Sequence, residues 1–188
     1  MLVKSPSAKL ADRLMAVSEE FLGSDPPQRL EDVAAAIGAS RASLYYYFSG
    51  REDLVTFLVA QHAQEAGTAL AAALDPDHGP RERLGSGVAA VLEFLASRPG
   101  LCSGLLGAMG ASGRLPEALA ITDQEVGGPL RELVGEASAG HQDPQDATNA
   151  VMGALLLAVL GRWAAGQDPQ DVTFREALTA QVTRGVTG

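Results

Sequence analysis

A chain of 188 residues with 46% hydrophobic, 5% aromatic and 20% charged side chains can bury a full core and lacks the composition of a disordered tail or a fibre. Its net charge of −9 excludes a protein that coats nucleic acid non-specifically, because that mode of binding is driven by displacing counterions from many phosphates. Cys102 is the only cysteine, so no intrachain disulfide is possible and nothing points to an oxidising compartment.

The charge is unevenly spread. Residues 1–60 hold Lys4, Lys9, Arg13, Arg29, Arg41 and Arg51 against eight acids, a balance of −2 that leaves −7 on the remaining 128 residues. An acidic body of this kind repels DNA and leaves the N-terminal part as the tolerable docking face. The opening Met-Leu-Val-Lys-Ser-Pro-Ser lacks the apolar run of a signal peptide. The longest nearly apolar run, Ala150 to Gly161, is shorter than the roughly 20 residues of a membrane span. A cytoplasmic location, with no membrane partner, is the expectation.

Leu10, Leu14, Val17 and Phe21 fall at intervals of four, three and four, the stripe of an amphipathic first helix with Lys9, Asp12, Arg13, Glu19 and Glu20 on its polar face. Gly23-Ser24-Asp25-Pro26-Pro27 ends it, since proline supplies no backbone donor and clashes with a continuing helix. Val33 and Ile37 then share one face of a second helix, Gly38 is suited to the left-handed conformation that closes it, and Ser40 is placed to cap a third. In the third helix Leu44 and Phe48 bury against Val33 and Ile37, which leaves Arg41, Ala42, Ser43, Tyr45, Tyr46 and Tyr47 pointing partly or wholly outward. Hydroxyls beside a guanidinium on so short a helix suit entry into a DNA major groove, where they meet phosphates and base edges. The plainer alternative is that one or two of the tyrosine rings only cover the small core.

The run Asp32-Val33-Ala34, Gly38-Ala39-Ser40, Ser43-Leu44-Tyr45-Tyr46-Tyr47-Phe48 and Arg51-Glu52-Asp53-Leu54 resembles the DNA-binding signature of the TetR family of bacterial one-component regulators. The resemblance covers the first third of the chain. Two positions depart from the family pattern: Arg29 stands where a threonine commonly caps the first helix of the motif, and Tyr47 where a histidine is common. Residues and resemblance together give a DNA-facing set of Arg29, Ser40, Arg41, Ala42, Ser43, Tyr45, Tyr46, Tyr47 and Arg51. Ser40, Arg41, Ser43, Tyr45 and Tyr46 are expected at bases or nearby phosphates, and Tyr47 and Arg51 on the backbone.

Arg51-Glu52-Asp53 begins a long helix running to about Leu74, where Asp75-Pro76-Asp77-His78-Gly79-Pro80 breaks it. Further helices follow over 81–97, 101–111, 115–138 with a break at Gly127-Gly128-Pro129, 144–165 and 170–184, and no stretch alternates like a strand. The fold class is therefore all-α. The division expected is a helix-turn-helix domain over 1–50, completed by the start of the 51–74 helix, and a helical effector-binding and dimerisation domain over 51–188. Gln142-Asp143-Pro144-Gln145-Asp146 and Gln167-Asp168-Pro169-Gln170-Asp171 read as the same helix start used twice, an aspartate cap followed by proline. The 144–165 helix is apolar over most of its circumference, which predicts burial on two sides, one against its own domain and one against a partner subunit. The resemblance implies the same, a homodimer through the last two helices, and such a dimer would present two reading helices to a palindromic operator.

Catalytic and metal chemistry leave no pattern. Gly85-Ser86-Gly87-Val88-Ala89-Ala90 imitates a dinucleotide fingerprint, but Arg81-Glu82-Arg83-Leu84 precedes it where a hydrophobic strand is required. His62, His78 and His141 have no ligand spacing with one another or with Cys102, and no nucleophile motif occurs. No cofactor, metal or catalytic residue is assigned. Gly104, Gly107, Gly110 and Gly113 recur every third residue, as a mobile pocket wall or as sites of close helix packing. Phe57, Gln61, His62, Phe94, Met109, Gln124, Asn149, Met152 and Trp163 are the candidates for a cavity between helices that holds a small-molecule effector of unknown identity. The expected function is transcriptional repression of a palindromic double-stranded operator, relieved by that effector. A helical enzyme or a protein-interaction module are the rivals.

Overall fold

The computed structural model describes residues 5–110, 120–138, 140 and 142–188, with backbone alone at 108–110. Every regular element among them is a helix: α1 (Ala8–Ala16), α2 (Ser18–Gly23), α3 (Leu30–Ala36), α4 (Arg41–Tyr47), α5 (Arg51–Ala72), α6 (Pro80–Ala96), α7 (Pro99–Gly110), a π-helical turn over Asp123–Gly127, α8 (Gly128–Ala137), α9 (Pro144–Ala164) and α10 (Val172–Thr187). The chain divides into two compact units, Met1–Gln61 with Gly100–Leu119, and His62–Pro99 with Ala120–Gly188. The boundary falls within α5, eleven residues beyond the 50/51 division read from the sequence.

The first unit is built on the residues that periodicity picked out. Leu10, Leu14, Phe21, Val33, Ile37, Leu44 and Phe48 are all buried, joined by Leu30, Leu54 and Leu58. Gly38 takes φ +61, the left-handed conformation that costs other residues steric strain. Around it Ala39 N–H donates to Ala34 O at 2.8 Å and Gly38 N–H to Ala35 O at 3.1 Å, which is the Schellman closure of a helix. Ser40 Oγ accepts from Ser43 N at 3.0 Å and caps α4. At Arg29 the missing threonine is compensated from the other side: Asp32 Oδ2 accepts from the Arg29 backbone N–H at 2.9 Å, half of a capping box.

Two helical expectations are corrected. The first helix is two, because the backbone turns at Val17, with φ −110 and ψ 2. The turn moves Ser18 into the buried face in place of Val17, and Ser18 Oγ donates to Met15 O at 2.7 Å, so the buried hydroxyl is satisfied. The break foreseen at Gly127-Gly128-Pro129 does not occur. Gly127 and Gly128 keep helical dihedrals, and the π turn before Pro129 carries the chain into α8 without the donor that proline lacks. The glycine run is settled in part. A Cβ on Gly104 would stand 2.9 Å from Leu22 Cδ2, which is close helix packing, whereas Gly107 has open space around it. Gly113 lies outside the described residues, as does the side of α7 about Gly110.

The core of the second unit is formed by Leu84, Val88, Val91 and Leu92 of α6, Leu130, Leu133 and Val134 of α8, and Val151, Leu155 and Val159 of α9. Asp143 caps α9, accepting from Gln145 N at 2.8 Å and Asp146 N at 3.1 Å. The second copy of that pentapeptide acts differently. Asp168 Oδ1 closes a turn on Gln170 N at 2.8 Å, and the cap of α10 is Asp171, which accepts from Phe174 N at 2.8 Å. α9 is 21 residues long with a mean hydropathy of 1.3 over its most apolar stretch, enough by length and composition for a span, unlike the shorter run counted in the sequence. Its apolar circumference is divided: Val151, Leu155 and Val159 face inward, while Leu157 is 60% and Trp163 42% exposed.

Candidate nucleic-acid interface

α3 and α4 are each seven residues long, too short to persist without tertiary support. Leu44 of α4, with no exposed surface, and Val33 of α3 anchor them in the core of the first unit. With that face committed, Arg41 and Ala42 are exposed, Tyr45 and Tyr46 are exposed by 49% and 59%, and Ser43 and Tyr47 are half-buried. The tyrosines differ in setting. Tyr45 Oη donates to Glu31 Oε1 across the turn at 2.8 Å. This hydrogen bond holds the Glu31 carboxyl below its usual value and raises the Tyr45 phenol. The rings of Tyr46 and Tyr47 meet edge to face at 5.0 Å.

Beside α4 lies a recess of about 360 Å³ to which α1 contributes Lys9 and Arg13, and α4 with its cap Ser40, Ser43 and Tyr47. With Ser7, two cations and four hydroxyl-bearing residues line it, donors suited to a phosphate group. Lys9 and Arg13 were absent from the DNA-facing set read from the sequence. The signal available was their spacing, one turn apart on the polar face of α1. Glu31 was missed as well, since nothing in the sequence pairs it with Tyr45.

Arg29 is exposed, its Nε 3.6 Å from Asp32 Oδ2. Arg51 is engaged within the unit: Nε donates to Gln28 O at 3.2 Å, and the guanidinium sits 4.9 Å from the Phe21 ring centroid. Burial lowers its pKa. The expected phosphate ligand is thus also a packing element.

The cavity residues predicted from the sequence are divided between the two units. In the first unit Phe57 is half-buried with its ring 5.5 Å from Phe48, and Gln61 is half-buried. In the second unit Gln124, Asn149 and Trp163 are exposed and Met152 is half-buried, with Asn149 Oδ1 accepting from Gln145 Nε2 at 3.1 Å. The Met109 side chain lies outside the described residues. Within the second unit His62 and Phe94 come together, both buried, ring centroids 6.3 Å apart. His62 Nδ1 is 3.3 Å from Glu65 Oε2, and Arg98 lies 3.8 Å from the same oxygen while its guanidinium covers Phe94 at 3.9 Å. Burial lowers the His62 pKa. A groove of about 670 Å³ opens elsewhere in this unit, between α6 and α10, over Gly85, Ala89, Thr179 and Ala180, with Arg81 and Arg184 on its rim. Among the described residues no three His, Cys, Asp or Glu side chains stand together as a metal site.

Residues 28–56 match a sequence profile described as "Bacterial regulatory proteins, tetR family". An uncharacterised HTH-type transcriptional regulator of Mycobacterium tuberculosis is 32% identical over 95 residues, which are 50% of this chain and 47% of that protein. The matched stretch therefore spans about half the length of that curated relative. Two solved structures share the fold over nearly the whole chain. A bacterial regulatory protein of the tetR family from Rhodococcus RHA1 has a TM-score of 0.75 at 17% identity, covering 96% of this chain and 98% of that one. The fatty acid degradation regulator of Bacillus halodurans has a TM-score of 0.76 at 17% identity, covering 95% and 98%. Residues 28–56 thus match the tetR-family signature in sequence, and the chain as a whole shares the fold of solved tetR-family regulators.

Proposed function

We propose that the protein is a transcriptional regulator, not an enzyme, that reads double-stranded DNA through α4, acts as a repressor, and is released by a small-molecule effector. The observation that carries this reading is the division of α4: Leu44 is fully buried while Arg41, Tyr45 and Tyr46 are exposed beside a recess holding Lys9 and Arg13. Ser40, Ser43, Tyr47, Lys9 and Arg13 position the unit on phosphates, and Arg41, Ala42, Tyr45 and Tyr46 face the groove, with Arg29 and Arg51 at its edge. A homodimer formed through α9 and α10 covers Leu157, Trp163 and Val172, which are large apolar side chains exposed in a single chain. Two copies related by a two-fold axis then fit a palindrome. Effector binding in the second unit acts on α5, which contributes residues to both units, and differential affinity for two dispositions of that helix supplies about 1–3 kcal/mol of coupling.

The test is selection of bound sequences from a random duplex pool at physiological salt. A palindrome is expected, and its affinity should fall with salt at a slope near −0.9 per phosphate contact. Replacing Lys9 and Arg13 with alanine should reduce the slope by roughly two per protomer while leaving the selected motif unchanged. Failure to enrich any motif with folded protein would overturn the DNA-reading assignment.

A further inference from the structure

We infer that Glu31 fixes the direction of the Tyr45 hydroxyl, so that Tyr45 meets the DNA as a hydrogen-bond acceptor and selects an amino-bearing base, adenine or cytosine, on the strand it touches. The inference rests on the DNA-reading function proposed above and deepens it by naming the chemistry of one operator position.

Direction follows from valence. An ionised carboxylate has only acceptor sites, while a phenol has one proton and two lone pairs. The 2.8 Å contact between Tyr45 Oη and Glu31 Oε1 therefore has one possible polarity, phenol to carboxylate. At neutral pH the carboxylate is ionised, and the flanking Arg29 and Arg41 reinforce that state. With its proton turned toward Glu31, the phenol oxygen offers outward only lone pairs, and the half-exposed ring makes them accessible.

Glu31 is held in place by the fold. It lies in the first turn of α3, where the helix dipole favours an anion. α3 and α4 are locked together by Val33, Ile37 and Leu44, all buried, so the separation of the two side chains is set by the core. The free oxygen of Glu31 is also an acceptor, so the pair presents acceptors alone.

Such a pair has a definite complement. In the major groove adenine N6 and cytosine N4 are donors, whereas guanine O6 and N7 and thymine O4 are acceptors. The pair matches the amino bases and opposes the keto bases. It equally opposes phosphate oxygens, which are acceptors. Tyr45 is thereby separated from Ser40, Ser43 and Tyr47, whose hydroxyls line the recess with Lys9 and Arg13.

The experiment is binding-site selection with the full chain in three forms: wild type, Tyr45→Phe and Glu31→Gln. Both substitutions keep side-chain shape at an exposed site, and the near-ultraviolet circular dichroism of the tyrosines verifies folding. The wild type should enrich adenine or cytosine over guanine or thymine about tenfold or more at one position per half-site. Tyr45→Phe should lose that preference at that position alone. Glu31→Gln, whose amide can donate to the phenol and free its proton, should admit guanine or thymine there with the rest of the motif intact. A Glu31→Gln motif identical to wild type, a Tyr45→Phe motif unchanged throughout, or a keto base at the Tyr45 position would each overturn the inference while leaving DNA reading in place. If none of the three proteins enriches a motif, DNA reading itself fails and this inference with it.

Discussion

Replacing Arg51 with alanine separates a phosphate ligand from a structural tie. The side chain donates from Nε to Gln28 O at 3.2 Å and lies 4.9 Å from the Phe21 ring centroid. A hydrogen bond from a charged donor contributes about 1.5–3 kcal/mol, and an exposed cation–π contact about 0.5–1 kcal/mol. Arg51 is only partly buried, so the lower ends apply and the alanine variant should lose about 2 kcal/mol. The chain carries its own reporters for where that loss falls. Its three tyrosines are Tyr45, Tyr46 and Tyr47, in the first unit, and its single tryptophan is Trp163, in the second. With a urea slope of about 2 kcal/mol/M, the tyrosine-reported unfolding midpoint should drop by roughly 1 M, and the tryptophan-reported midpoint by less. Arg51→Lys should recover little, because an ammonium does not reproduce the Nε geometry. An unchanged tyrosine transition in Arg51→Ala, together with weakened DNA binding, would refute the structural assignment and restore the reading of Arg51 as a free phosphate ligand.

Other consequences can be checked with the same reporters. Ser40→Ala removes the cap on α4 and should cost about 1 kcal/mol in the tyrosine transition. Gly38→Ala forces a Cβ onto φ +61, 3.4 Å from Arg13 Nη2, and should cost about 1–2 kcal/mol by the same measurement. Cys102 has no exposed surface and its thiol is pushed up to about 12 by burial, so it should resist a thiolate-directed reagent until the chain unfolds; rapid labelling of native protein would contradict the packing of α7. His62 has its pKa lowered from 6.5, first by burial, so the unfolded chain binds more protons just below that value. Its contribution to stability is therefore present above about pH 6.5 and is lost as pH falls toward its folded pKa. The urea midpoint reported by Trp163 should decline across that window in wild type and stay flatter in His62→Gln.

What could be read from the sequence was governed by local geometry. Val33, Ile37, Leu44 and Phe48 announce their shared core by spacing, Gly38 by the absence of a side chain, and Ser40 by its place before Arg41, because each signal acts within one or two helical turns. Most of the features that escaped are made by distant partners. Glu19 caps α7, its carboxylate accepting from the backbone of Gly100 and Leu101, and no periodicity in residues 18–23 predicts a helix start eighty positions later. Glu31 and Tyr45 meet only once the turn at Gly38 is closed. The Val17 turn exchanged a valine for a serine on the buried face because the serine hydroxyl found a carbonyl, a choice the apolar stripe could not register. In the second unit the cavity residues were hard to place for a further reason. α9 is apolar nearly all round, so the sequence does not say which of its residues face inward, and Asn149 and Trp163 fall on the exposed side.

The same distinction between counting and placement resolves the apparent conflict between an acidic chain and the DNA-reading surface proposed for it. By formal charge residues 1–60 are net negative, yet several of their acids already serve donors within the chain. Asp32 accepts from Arg29 N, Asp53 from Ser49 N, Glu19 from two amides at the start of α7, and Glu31 from the Tyr45 hydroxyl. Amide dipoles directed at a carboxylate reduce the negative potential it projects into solvent. Lys9, Arg13 and Arg41 take part in no ion pair among the described residues, so their charge is not offset by contact partners. Since potential at a surface is set by the nearest uncompensated charges and falls off over about 10 Å at moderate salt, the face holding Lys9, Arg13 and Arg41 is more positive than its residue count implies.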